Sequence, residues 1–136
     1  MASGQSDYLA NKLLDHVLRN TAYTAPATVY LACFTASPTD SYVTGNEVAD
    51  AGAYARIAIE FNAAAGRSTD NSADVTFTVA TANWGTVTHV GLMDTSTHGA
   101  GELLWWGALT NAKAIGTADQ LKVNAGDLDV QYSASA

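Results

Sequence analysis

Val75-Thr76-Phe77-Thr78-Val79 alternates apolar and polar side chains without a break. A period of two puts the apolar set on one face of an extended chain, so the segment predicts a half-buried β-strand. The neighbouring segments read the same way. Downstream, Trp84-Gly85 breaks the chain before Thr86–Asp94, where Val90 and Leu92 face inward and Gly91 permits a bend or a close backbone approach. Thr95–Gly101 is rich in turn formers, and Glu102–Leu109 follows as a strand carrying Trp105-Trp106. Two weaker strands lie near Gln120–Val123 and Leu128–Tyr132, with Ala125-Gly126-Asp127 as the turn between them. Upstream, Asn62–Asn71 reads as a loop and Tyr54–Phe61 as a strand. Ala55, Ile57, Ile59 and Phe61 share one face of that strand, opposite Arg56, Ala58 and Glu60. Residues 40–53 read as a loop, Ser37-Pro38-Thr39-Asp40 as a turn, and Thr28–Phe34 as a strand apolar on both faces.

Only the N-terminal part departs from this pattern. Leu9, Leu13, Leu14, Val17 and Leu18 recur at helical spacing, which predicts an amphipathic helix over about residues 7–19. Ser6 or Asp7 suits its N-cap and Asn20 its C-terminal end. Its stripe serves either the chain's own sheet or a neighbouring subunit. Residues 1–6 are small and polar and are expected to form a flexible arm, with residues 7–136 as a single domain. One helix followed by about seven strands, with no helices between them, predicts a mainly β fold: an antiparallel β-sandwich with an N-terminal amphipathic α-helix.

Composition narrows the function. The 136 residues include 6 Lys+Arg against 13 Asp+Glu, a formal charge of -7, and charged residues make up only 14%. Six scattered cations form no patch able to displace counterions from phosphates, which argues against nucleic acid and against an anionic membrane surface. No apolar run is long enough to span a bilayer, and the first residues lack the pattern of a signal peptide. The lone Cys33 permits no intrachain disulfide and reads as a small apolar filler. The core is lean and rich in Ala and Thr, so part of the missing apolar burial is expected from a neighbouring subunit.

Reaction chemistry is not legible. His16, His89 and His98 fall on a helix, a strand and a loop, in no metal-ligand spacing. Asp70, Asn71 and Asp74 lack the register of a calcium loop, and no glycine-rich phosphate loop is present. The expectation is therefore no enzyme, no metal and no cofactor. The aromatics are more informative. Adjacent strand residues point to opposite faces, so one of Trp105 and Trp106 belongs to the core. The other faces a loop, a partner or a sugar ring. Leu9, Leu13, Leu14, Val17, Trp84, Trp105 and Trp106 are the candidate subunit or partner contacts.

Several stretches resemble, in one order, a family of small tailed-bacteriophage structural proteins. They are Leu9–Asn20 with Thr21–Pro26 and Thr28–Ala32, then Gly52–Arg56, Asn71–Phe77, Trp84–Gly91, Gly101–Leu109 and Ala125–Leu128. The resemblance spans Tyr8 to Tyr132. It implies a virion protein made in the host cytoplasm. Members carry the label tail fibre protein, and similar β-rich proteins act as trimeric capsid decoration, or cement, proteins. The expectation is a homotrimer bound to the major capsid protein on the outer shell. A tail-fibre or baseplate module binding a host-surface glycan is the alternative.

Overall fold

The computed structural model describes residues 3–132. The protein is mainly β, with antiparallel sheets of five, two and two strands arranged as a sandwich. In chain order the strands are β1 (Ser3–Gln5), β2 (Val29–Phe34), β3 (Ile57–Ile59), β4 (Ser68–Asp70), β5 (Val75–Thr76), β6 (Gly85–Met93), β7 (Leu103–Ile115), β8 (Lys122–Val123) and β9 (Asp129–Gln131). The large sheet runs β1-β7-β6-β2-β3, and the ribbons β4-β9 and β5-β8 form the facing layer.

Helix α1 covers Asp7–Leu18. The Ser6 hydroxyl accepts from the Leu9 N–H at 3.1 Å, and Asp7 sits at the positive end of the helix. The helix stops where Asn20 enters the left-handed region, φ 54°. Leu9 is buried in the main core, with Tyr8 and Leu13 packed beside it. The segment expected as an arm is an ordered edge strand over Ser3–Gln5: it pairs with Trp105–Gly107 of β7, and the Ser6 N–H continues the ladder to the Leu104 carbonyl. Unpaired main-chain groups at a sheet edge drive that pairing, irrespective of side-chain polarity. Residues 1, 2 and 133–136 lie outside the described residues.

Two clusters form the core. The larger lies between the layers and includes Leu31, Cys33, Tyr54, Phe77, Trp84, Val87 and Leu104. The smaller lies on the other face of the sheet and holds Ala32, Phe34, Met93 and Leu103. Phe34, Phe77, Leu31, Met93 and Leu103 are fully buried, each contributing about 1.5–3 kcal/mol relative to an exposed side chain. Gly91 sits where a Cβ would come within 2.8 Å of Leu103 and 2.9 Å of Phe34, which explains a glycine in mid-strand.

Two irregularities shape β7. Leu92 pairs with Trp105 but Met93 pairs with Leu103, so Leu104 is an extra residue. Farther along, Val87 pairs with Lys113 and His89 with Ala108, so the strand bulges out between these pairs. The strand thereby extends well past Leu109 and returns Ile115 to the core.

Arg56, read from sequence as lying on the face opposite Ile57, Ile59 and Phe61, is buried, and its guanidinium is fully paired. Its Nε and Nη2 donate to Glu47, and its Nη1 donates to the carbonyls of Thr95 and Ala100. The Arg56 Nη2 also donates to the Tyr42 hydroxyl, while the Tyr54 hydroxyl donates to Glu47. This network ties the 37–50 loop to the 94–102 hairpin.

Candidate interaction surfaces

The seven candidate contact residues separate into three environments. Leu9 and Trp84 belong to the chain's own core. Trp84 opens a loop in sequence, yet its ring packs edge-on against Tyr54 and Phe77, and its indole N–H donates to the Gly52 carbonyl at 2.8 Å. Its polar atom is therefore satisfied in the interior, and Trp84 offers no outward anchor. Leu13 is partly buried against the core.

Leu14 and Val17 remain on the outside. Together with Leu18 they are 57%, 72% and 74% exposed, at i, i+3 and i+4 of α1. The Ser6 cap and buried Leu9 fix the helix, so this apolar face has no cover within the described chain.

Trp105 and Trp106 point to opposite sides of the sheet, as strand alternation requires. Trp106 packs beside the small cluster, 5.9 Å from the His89 ring, and its N–H donates to Asp40 at 2.7 Å. Trp105 lies on the side of the main core, directly opposite Gln5 of β1 and Leu92 of β6. Its ring meets Tyr132 edge-on at 5.1 Å, and Gln5 donates to the Tyr132 hydroxyl at 2.9 Å. Here the layers separate. A groove of about 680 Å³ opens between β7 and β9, floored by Leu31, Val90 and Leu92 and bordered by Asp127, Asp129, Gln131 and Tyr132. No signal in the separate segments places β9 opposite Trp105, so the groove was not legible in the sequence.

The polar residues weighed as ligands have structural partners. Asn71 donates to the carbonyls of Ala73 and Asn124 and accepts from the Leu128 N–H. Asp70 accepts from Asn62. Asp74 accepts from the Ala125 N–H and pairs with Lys122 at 3.0 Å, and both interactions hold its carboxyl below the usual range. His98 meets the Val48 carbonyl, and His16 contacts the Thr21–Tyr23 backbone. Among the described residues no three His, Cys, Asp or Glu side chains are grouped to hold a metal, and no helix is long and apolar enough to cross a membrane. Burial pushes the Cys33 thiol far above its ordinary value.

The described chain is thus a small β-sandwich with an uncovered apolar helix face and an aromatic-walled groove between its layers. Residues 4–131 match the family described as Podophage GP4 fiber I protein gp80. The chain belongs to that family of phage tail fibre-type structural proteins. No curated protein matches it.

Proposed function

We propose that the chain is a non-enzymatic building block of the phage tail-fibre apparatus, assembled as a homotrimer through the outer face of α1. The observation that carries this reading is the uncovered Leu14, Val17 and Leu18 face on a chain of a fibre-type family. Burying three such side chains against a second copy favours association, and a closed symmetric assembly repeats that contact. The fixed helix and the paired β1 edge present the face without any need for local refolding.

The family description supports the tail over the capsid shell as the chain's location. A decoration role on the outer shell, with the major capsid protein as partner, requires the same kind of compact self-associating block. Locating the chain in intact particles separates the two: tail labelling supports the fibre reading, and shell labelling supports decoration.

A further inference from the structure

We infer that the free edge of β9, along the groove beside β7, pairs with an extended basic segment of another protein. The segment adds as an antiparallel strand in which apolar side chains alternate with lysine or arginine. This goes beyond the assembly role and uses a surface separate from the α1 face, so it stands whether the chain sits on tail or shell.

The hydrogen-bond register of β9 leaves that edge open. The Tyr132 N–H donates to the Arg67 carbonyl, and the Asn71 N–H donates to the Leu128 carbonyl. Successive residues of an antiparallel strand turn their main-chain groups to opposite edges. The groups of Leu128, Val130 and Tyr132 therefore point to β4, and those of Asp129 and Gln131 point away from it. Among the described residues nothing accepts from the Asp129 or Gln131 N–H, and nothing donates to their carbonyls. The groove takes in every residue from Asp127 to Tyr132 and none of β4, so it runs along this edge. An unpaired edge is a template for a further strand, and this one suits a segment of about five residues.

The groove also selects the side chains of that segment. Val130 packs toward the main core, whereas Asp129 and Gln131 are exposed. An added strand turns alternate side chains inward, over Leu31, Val90, Leu92 and the Trp105 ring, and the others outward beside Asp129. The inward positions suit apolar groups. The outward positions suit cations, because the lining holds Asp127 and Asp129 and no Lys, Arg or His. Asp129 already lies opposite Asp70 across the β4–β9 ladder, a like-charged pair that an incoming lysine would relieve.

The test is NMR titration of the full chain with a short blocked peptide of alternating lysine and valine. The expected result is saturable binding, with shifted amides confined to β9, β1 and the residues around Trp105. A glutamate–valine peptide of the same length should not bind. In the antiparallel register, the residues whose side chains flank Asp129 also turn their N–H groups to β9. Methylating the main-chain nitrogens of the lysines keeps every charge, removes those donors, and should weaken binding about tenfold. Methylating the valine nitrogens, on the far edge, should weaken it less. Asp129→Asn, at an exposed position, should weaken binding several-fold with an unchanged circular dichroism spectrum, and Leu18→Ala should leave it unchanged. Absence of saturation would overturn the proposal, as would equal binding of the glutamate peptide or a stronger loss from valine than from lysine methylation. Full binding of the lysine-methylated peptide would also overturn it, reducing the effect to attraction by an acidic chain. Self-association through the groove that Trp105→Ala removes would assign the edge to a second copy of this chain and overturn it likewise.

Discussion

Glu47 and Arg56 form a buried, two-pronged ion pair: Nη2 lies 2.7 Å from Oε1 and Nε 2.8 Å from Oε2, with both side chains fully shielded from solvent. The remaining guanidinium N–H groups reach two hairpin carbonyls and a tyrosine, and Glu47 gains a second donor from Tyr54. A pair satisfied on every side costs little to keep and much to break. Arg56→Leu should leave the Glu47 carboxylate buried without its counter-charge and reduce stability by about 3–5 kcal/mol, measured by urea unfolding. A loss below about 1 kcal/mol would contradict the role given to the pair.

The same pair sets an acid limit. Burial alone would push the Glu47 carboxyl up, but hydrogen bonds from Arg56 and Tyr54 and the charge of Arg56 outweigh it and hold the carboxyl below its ordinary value. A carboxyl lowered in the folded state stabilises fully above its unfolded value, about 4.3, and that contribution disappears as pH falls through the folded value. Stability should therefore decline below about pH 4. Glu47→Gln should flatten that decline, leaving the smaller part due to Asp74. Denaturant midpoints between pH 2 and 7 for both proteins provide the comparison.

Gly91 tests the packing of the small cluster. A methyl group there must displace the ends of Leu103 and Phe34, both fully buried. Gly91→Ala should cost about 1–3 kcal/mol by overpacking. An unchanged thermal midpoint would show that the two sheet side chains can yield.

Cys33 is buried in β2, and its thiol is held protonated by burial and by the neighbouring Glu47 charge. Because the thiolate is the reactive form, a thiol reagent should leave the folded chain unmodified and label one equivalent after unfolding. Rapid labelling under native conditions would mean that β2 opens.

The helix face gives the assembly prediction. Sedimentation should show a trimer at micromolar concentration, and Val17→Lys with Leu18→Ser should convert it to a monomer with an intact fold. A wild-type chain that stays monomeric to near-millimolar concentration would remove the proposed interface.

The fold class was readable because the signals that decide it are local. Alternation over 75–78 survives as burial of Val75 and Phe77 against exposure of Thr76 and Thr78, but it breaks at Val79, which is exposed, and only Val75–Thr76 joins a ladder. Phe77 instead bonds to Leu121 through its backbone. Helix α1 matched its stripe and caps to within a residue. What depends on distant partners was not readable. Arg56 turned inward because Glu47, nine residues earlier, meets it. Trp84 left the surface because Gly52 supplies a carbonyl acceptor. The polar strand Ser68–Asp70 exists because Asp129–Gln131 pairs with it. The Trp105 groove arises from that same long-range pairing.

The central claim, a place in the tail-fibre apparatus, is tested most directly by gold-labelled antibody against the purified chain on intact virions. The expected result is label confined to the tail or its attachment to the head. Label spread over the capsid shell would contradict the tail assignment and make the chain a decoration protein.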